Sequence, residues 1–531
     1  MNKISLLDCT LRDGGYVNDW SFGVKNIKKI INYLKNARID MIECGFLSNK
    51  YSYNPDKSLF DLIQRFKDVL PGKNNNSNCN YLCMVNYGEY NAEDLPDCDG
   101  EYIDGIRVAF HKKDLLNAVK LCKNIAKKGY LLFMQPMVTV IYSDAQLLEL
   151  VKMANDIKPY AFYLVDSFGV MNKNDLLRLF YLVDNNLHQD IKIGYHSHNN
   201  LQLAFSNAQS FYNINTQRHR IIDSSVFGMG RGAGNLCTEL FVHYINSIEK
   251  ESYKIEPLLE IVDDVLSKEY LKHFWGYSLP HYLSSTENCH PNYATFLNDK
   301  HTLSVRSISN ILKMIDGEKR CNFDKKYIED KYILYQANHI DDKSTIEELK
   351  SVFNQKNVIL ILPGKSIMVN SRLIEQHLNK PNNLVISINF ISNDYKCDYH
   401  FFSNEKRYED FNKNSSYKVN KFITTSNIDS QSKSKYIVNY SDLINNTELV
   451  QDNSVLMFIK LLDRLNINKI QIAGFDGFSC NEQDNYFDPD MSFNRNVEVI
   501  GSLNDGIKKE LKKIKKHINI EFITPSIFNN E

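Results

Sequence analysis

ISLLDCTLRDGG, residues 4–15, sets the reading of this chain. An apolar run (ISLLDC, 4–9) passes within a few residues into Arg12 and Asp13, followed by two glycines. A strand buried on both faces reads as a nearly continuous apolar run, as parallel sheets require. Similar runs recur downstream at DMIECGF (40–46), YLCMVN (81–86), DGIRVAF (104–110), YLLFMQP (130–136), AFYLVD (161–166), IKIGYHSH (191–198) and RIIDSSVF (220–227). Between them, segments such as VKNIKKIINYLKNA (24–37), LLNAVKLCKNIAKKG (115–129) and AQLLELVKMANDI (145–157) repeat apolar residues at three- and four-residue spacing, the helical period. Eight strands alternating with helices predict an α/β fold with an N-terminal (β/α)8 TIM barrel, whose chemistry belongs at the C-terminal ends of the strands.

After residue 235 the pattern turns helical, and the charged stretch DGEKRCNFDKKYIEDKY (316–332) reads as a connection. A second strand series follows at NVILILP (357–363), LVISINF (384–390), DYHFFS (398–403), KFITTS (421–426), KIQIAGF (469–475) and IEFITP (520–525), with a Lys-rich amphipathic helix before the last. The expected organisation is a barrel domain over 1–300, a helical extension and linker over 301–350, and a smaller Rossmann-like α/β domain over 351–531. A chain of 531 residues exceeds what one core usually supports, which agrees with two domains.

The composition is that of an ordinary globular protein, 43% hydrophobic and 24% charged. A net charge of −1 gives no bulk attraction for nucleic acid or anionic lipid, so neither is expected as a partner. The eleven cysteines show no regular spacing and read as free thiols of a reduced compartment. No stretch approaches 18 uninterrupted apolar residues, so no membrane span is expected. The expectation is a cytoplasmic protein, and a homo-oligomer.

His196 and His198 sit two apart at the end of a predicted strand, where alternate residues face the same side. Alone, an H-x-H pair is weak evidence. Asp13, at the end of the first strand, can complete a facial set with the two neutral imidazoles. Arg12 carries a permanent charge and can hold a carboxylate or steady a developing enolate oxygen.

The strings DCTLRDGG (8–15), IECGF (42–46), VDSFG (165–169), HSHNN (196–200) and GMGRGAGN (228–235) together resemble the DRE-TIM metallolyases. That superfamily holds 4-hydroxy-2-oxovalerate aldolases, hydroxymethylglutaryl-CoA lyases and isopropylmalate-type synthases. The resemblance covers roughly residues 3–300. It implies Asp13, His196 and His198 as metal ligands and Arg12 as the catalytic arginine. It further implies Glu43 as support for the arginine or the ligand shell, and Ser167 as a wall of the 2-oxo-acid pocket. Asn235 matches a metal ligand of the lyases. Glu43 and Asn235 also admit structural readings, as a buried partner of Arg12 and as a helix N-cap. A carboxylate and imidazole set without thiolate suits Mn2+ or Mg2+, with Zn2+ or Co2+ able to occupy it.

The chain departs from the aldolase pattern where those enzymes carry a histidine base, three residues after the metal-binding aspartate. Tyr16 stands there, as proton donor, water-orienting group or aromatic wall. Tyr293, in CHPNYATFL (289–297), resembles a second functional tyrosine of the aldolases and equally fits a packing role. The glycine-rich loop lacks the cysteine of the lyase branch, and Gly15–Tyr16 replaces the Glu-Gln-like continuation of the synthases.

These features favour an aldolase acting on a 4-hydroxy-2-oxo acid, with a pyruvate-type 2-oxo acid and an aldehyde as its small-molecule partners. An acyl-CoA-dependent Claisen condensation on the same barrel is the first alternative. The second is a sugar-nucleotide-binding or glycosyltransferase-related protein acting through the C-terminal domain, whose segments loosely resemble domains of bacterial surface-glycan proteins. In that domain ILPGKS (361–366) lacks the first glycine of a Walker A loop, since Ile359 stands there. A nucleotide-sugar site there and a place in surface-polysaccharide biosynthesis are further expectations.

Overall fold

The computed structural model describes residues 4–72, 79–250, 252–414, 421–429, 434–492 and 497–529. The chain divides into two compact units, one of residues 1–294 with 317–323, the other of 295–316 with 324–531.

The first unit is a closed barrel of eight parallel strands. They are β1 (Ile4–Asp8), β2 (Met41–Leu47), β3 (Asn80–Asn86), β4 (Gly105–Phe110), β5 (Leu131–Pro136), β6 (Ala161–Asp166), β7 (Lys192–Ser197) and β8 (Arg220–Ser224). They pair in sequence order, and β1 closes the ring by pairing with both β2 and β8. Alternation along each strand divides the apolar residues. Leu7, Met41, Phe133, Tyr163 and Ile221 cluster inside the barrel, while Leu6, Ile42, Leu132 and Ile222 pack toward the helices.

The helices expected from periodicity are present as α1 (Val24–Asn36), α2 (Leu115–Lys127) and α3 (Asp144–Ile157). Ser143 caps α3 through a reciprocal capping box with Gln146, which fixes where the helix starts. The alternation is incomplete on one side. Between β3 and β4 there is only the 3-10 turn Ala92–Asp94, and the described residues between β2 and β3 give only a strand pair (Leu59–Phe60) and the 3-10 segment Ile63–Asp68.

The second unit is a seven-stranded parallel sheet, ordered β13-β12-β11-β10-β9-β14-β15. Its strands are β9 (Asn357–Ile361), β10 (Asn383–Ile388), β11 (Tyr399–Phe402), β12 (Phe422–Thr425), β13 (Tyr436–Val438), β14 (Lys469–Ala473) and β15 (Asn519–Phe522). Val358 and Leu360 join one core, Ile359 and Ile361 another, so both faces are covered. The strand order reverses at β9, which leaves a crevice at the carboxyl ends of β9 and β14. Tyr436–Val438 is too short to stand out as a strand by pattern, and residues 301–350, expected as a helical extension and linker, are shared between the two units. Most of that segment folds with the second unit, and only Gly317–Phe323 returns to the barrel unit.

Candidate active site at the barrel mouth

At the end of β1 the chain makes a single helical turn, Thr10–Asp13, that puts Arg12 and Asp13 in the barrel mouth, both buried. The glycines of RDGG allow this turn to pack closely, since a Cβ at Gly15 would overlap the Trp20 indole. That indole donates from Nε1 to the Arg12 carbonyl at 2.9 Å and fixes the backbone there.

From Arg12 a buried ladder of alternating charge runs across the barrel. Arg12 pairs with Asp13 and donates from Nε to Glu43 Oε2 at 2.7 Å. The same carboxylate oxygen accepts from Arg107 Nη1 at 2.8 Å, and Arg107 pairs in turn with Asp223. Asp223 Oδ2 lies 3.0 Å from His196 Nδ1, and Asp223 Oδ1 accepts from the Tyr163 hydroxyl at 2.9 Å. Each charge removed from water has an opposite partner within hydrogen-bond distance, without which burial would cost several kcal/mol per ion.

The environment sets the protonation states. Burial works against ionisation of Asp13, but Arg12 and the two imidazoles hold its carboxyl well below the usual range. Arg107 and His196 do the same for Asp223 against the same burial penalty. Burial prevails at Glu43, whose pKa rises despite Arg107 and Arg12. Desolvation lowers His196 to about 4, so its imidazole is neutral near pH 7.

The ligand atoms of Asp13, His196 and His198 lie within 4.8 Å of one another. His198 has Nδ1 3.1 Å from the Asp166 carbonyl, while its Nε2 is buried without a hydrogen-bond partner, 3.6 Å from Asp13 Oδ2. Asn235 donates from Nδ2 to Asp13 Oδ2 at 2.6 Å, and its Oδ1 is also buried and unsatisfied. Orphaned acceptors of this kind are rare in folded proteins. Beside an ionised carboxylate, with Nδ1 of both imidazoles already occupied, they fit a divalent cation.

The other expected site residues fall in different places. Ser167, just past β6, accepts the Val138 N–H at 2.9 Å, so its oxygen steadies the loop after β5. Tyr16 lines the mouth in edge contact with Trp20 and Phe46 and is 39% exposed. Desolvation of its phenol raises the pKa, against the pull of Arg231 and Arg12, so it stays protonated at neutral pH. Tyr293, read as either a functional or a packing residue, sits away from solvent. It is 0% exposed, and its hydroxyl is within hydrogen-bond distance of the Lys319 and Asn322 carbonyls, at 3.0 and 2.6 Å. It ties the returning segment 317–323 to the barrel unit.

Arg107, Asp223 and Tyr163 were not singled out from sequence. A signal was present, because a charged residue inside an apolar strand run (Arg107 in DGIRVAF, Asp223 in RIIDSSVF) has to find a buried partner. Arg231, in the loop GMGRGAGN, was also missed.

In the second unit a cavity of about 420 Å3 opens at the strand-order reversal, lined among others by Gly364, Asn389, Arg407, Ser454, Gly477 and Tyr486. The PGKS turn itself is closed, because the Ser366 N–H and hydroxyl both donate to Asp476 and Lys365 pairs with Asp484. Among the described residues no helix is long and apolar enough to cross a membrane.

The HMGL-like family matches residues 108–265. Oxaloacetate decarboxylase of Mycobacterium tuberculosis is 23% identical over 237 residues, 45% of this chain and 68% of that protein. A 4-hydroxy-2-oxovalerate aldolase of Carboxydothermus hydrogenoformans is 28% identical over 275 residues, 49% of this chain and 77% of the relative. A solved N-terminal domain from Bacteroides vulgatus is 28% identical, with 58% of this chain and 99% of that domain covered and a TM-score of 0.49. The chain thus matches the HMGL-like family model over part of its barrel unit, and the relatives it is similar to there include an aldolase and a decarboxylase.

Proposed function

We propose that the barrel unit is a divalent-metal-dependent aldolase that cleaves or forms the C3–C4 bond of a 4-hydroxy-2-oxo acid, giving a pyruvate-type 2-oxo acid and an aldehyde. The observation that carries this reading is the convergence of Asp13, His196 and His198 beside Arg12, with unsatisfied acceptors facing the cluster.

Asp13, His196 and His198 would hold the ion, with Asn235 Oδ1 beside them. A divalent ion there supplies Lewis-acid stabilisation of the charge that develops on the 2-oxo oxygen. Carboxylate and imidazole donors without thiolate favour Mn2+ or Mg2+.

In cleavage the C4 hydroxyl gives up its proton to water as C4 becomes the aldehyde carbonyl, the C3–C4 electrons pass toward the 2-oxo oxygen, and a proton delivered to C3, replaced on its donor from water, completes the 2-oxo acid. Arg12, held in place by Glu43, offers a fixed charge to the developing enolate oxygen. Asp223 holds the His196 ring, and Arg107 holds Asp223. Tyr16, protonated at neutral pH, acts as a donor toward C3.

Deuterium uptake at C3 of pyruvate tests the reading without knowledge of the aldehyde. Uptake that depends on added Mn2+ or Mg2+ and disappears in Asp13→Ala is expected. No uptake by the metal-loaded wild type overturns the aldolase reading.

A second activity is proposed for the other unit, a nucleotide-sugar site in the cleft at the β9–β14 crevice. Open parallel sheets bind ligands at this point of strand-order reversal. Arg407, stacked over the Tyr486 ring at 5.4 Å, supplies a cation there. A role in surface-polysaccharide synthesis in the cytoplasm follows from that reading. Saturable binding of a CMP- or UDP-sugar by the full chain, weakened in Arg407→Gln, is expected. Absence of binding for both nucleotide classes overturns it.

A further inference from the structure

Three arginines reach the barrel mouth or its interior, and their charges are balanced unequally. Arg12 is paired with Asp13 and Glu43, and Arg107 with Glu43 and Asp223. Arg231 takes part in no ion pair among the described residues, and its Nε is buried without a hydrogen-bond partner. A guanidinium in a protein cannot shed its proton, so this half-buried charge is permanent.

Its position is built. Arg231 lies between Gly230 and Gly232 in the loop after β8. A Cβ at Gly230 would meet Asp13 Oδ2 at 2.7 Å, and one at Gly232, where φ is +70°, would meet Asn200 Oδ1 at 2.7 Å. Asn200 also accepts the Ala233 N–H at 2.8 Å. The loop is thereby pressed onto the ligand cluster, with the Arg231 N–H 3.4 Å from Asp13 Oδ2.

The side chain extends over the Tyr16 ring, 5.5 Å from its centroid. Tyr16 contacts Phe46, and the Arg12 guanidinium lies 6.0 Å from the centroid of Phe46. Two aromatic rings therefore separate the two guanidiniums. Arg12 pairs with Asp13 of the candidate metal cluster, while Arg231 has no acidic partner among the described residues.

Two imidazoles feel the Arg231 charge. Burial and then Arg231 lower the pKa of His290 to about 3. Burial, Lys113 and Arg231 lower that of His111. The His290 ring is fixed by stacking on Phe323, and its Nδ1 accepts the Asn292 N–H at 3.2 Å, which leaves Nε2–H as a donor.

We infer that Arg231 forms an anion subsite for the far end of the substrate, so the aldehyde partner carries a carboxylate or phosphate. This rests on the aldolase reading, which assigns the 2-oxo acid to the Arg12 side. A neutral aldehyde leaves the Arg231 charge uncompensated, whereas an anionic one supplies charge-assisted hydrogen bonds that fix its orientation.

The test measures kcat/KM for addition of pyruvate to aldehydes of matched length: uncharged (propionaldehyde, glycolaldehyde), carboxylate-bearing (succinic semialdehyde, glyoxylate) and phosphate-bearing (glycolaldehyde phosphate). Wild type is expected to favour one anionic class over the uncharged one by at least about tenfold. Which class wins identifies the head group. In Arg231→Gln the anionic-to-neutral ratio collapses toward one, and Arg231→Lys retains part of it. The ratio is taken within each enzyme, so a general loss of activity cancels. Wild type that exchanges pyruvate C3 protons but handles the classes alike overturns the inference, as does an unchanged ratio in Arg231→Gln. Wild type without C3 exchange overturns the aldolase reading itself and the inference with it.

Discussion

His196 Nδ1 lies 3.0 Å from Asp223 Oδ2, on a carboxylate that Arg107 and Tyr163 also hold. With the acceptor pinned from three directions and ionised, the ring has one favourable tautomer, Nδ1–H, and Nε2 is left as the acceptor facing the ligand cluster. This carboxylate–imidazole pair orients the ligand and raises its basicity.

Replacing Asp223 with Asn therefore weakens metal binding by about 10–100-fold. Calorimetric titration with Mn2+ reads the change directly, and an unchanged affinity would refute the orienting role.

Arg107 is 0% exposed and bridges Glu43 and Asp223. Arg107→Leu leaves the buried Asp223 without its arginine and Glu43 with Arg12 alone, and a loss of about 3–5 kcal/mol in stability is expected. Urea denaturation checks this. A shift below about 1 kcal/mol, the ordinary worth of an exposed pair, would mean the ladder does not stabilise the barrel.

An ion that binds only the folded cluster adds about 2.7 kcal/mol at one hundred times its Kd. Added Mn2+ should raise the melting temperature of wild type and leave Asp13→Ala and His198→Ala unmoved. EDTA should reverse the gain. Equal shifts in all three proteins would place the ion elsewhere.

His290 titrates near 3 in the folded chain, below the ordinary imidazole value of about 6.5. The unfolded chain then binds the extra proton between those values, so the His290 contribution is full above about pH 6.5 and is lost as pH falls toward 3. Asp8 and Asp166, each raised by burial to about 6, act in the opposite direction over an overlapping range. The wild-type minus His290→Gln difference in unfolding free energy isolates the histidine and should shrink steadily from pH 6.5 downward. A flat difference would show that the ring is not buried in its neutral form.

Much of this molecule was legible along the chain. Apolar strand runs punctuated by 3.6-period helices define a barrel because a parallel strand buried on both faces has few other patterns. The ligand candidates were legible because strand ends are local features, and Asp13, His196 and His198 each mark one. Arg107 and Asp223 stood in plain view as charges inside apolar strands, but their partners lie 64 and 27 residues away, on other staves of the barrel. Tyr293 illustrates the converse. Its local string suited chemistry, and its hydroxyl is turned to backbone carbonyls instead.

What the sequence determined was the barrel, the strand ends that carry its candidate ligands, and the residue types available for a cation. What only the tertiary structure decided was which charges are matched. Electrostatic balance is a property of distance in space, and closing the barrel sets those distances. Closure pairs Arg12 with Asp13 and Glu43 and pairs Arg107 with Glu43 and Asp223. It leaves Arg231 at the mouth in no ion pair among the described residues, with its Nε buried and unpartnered.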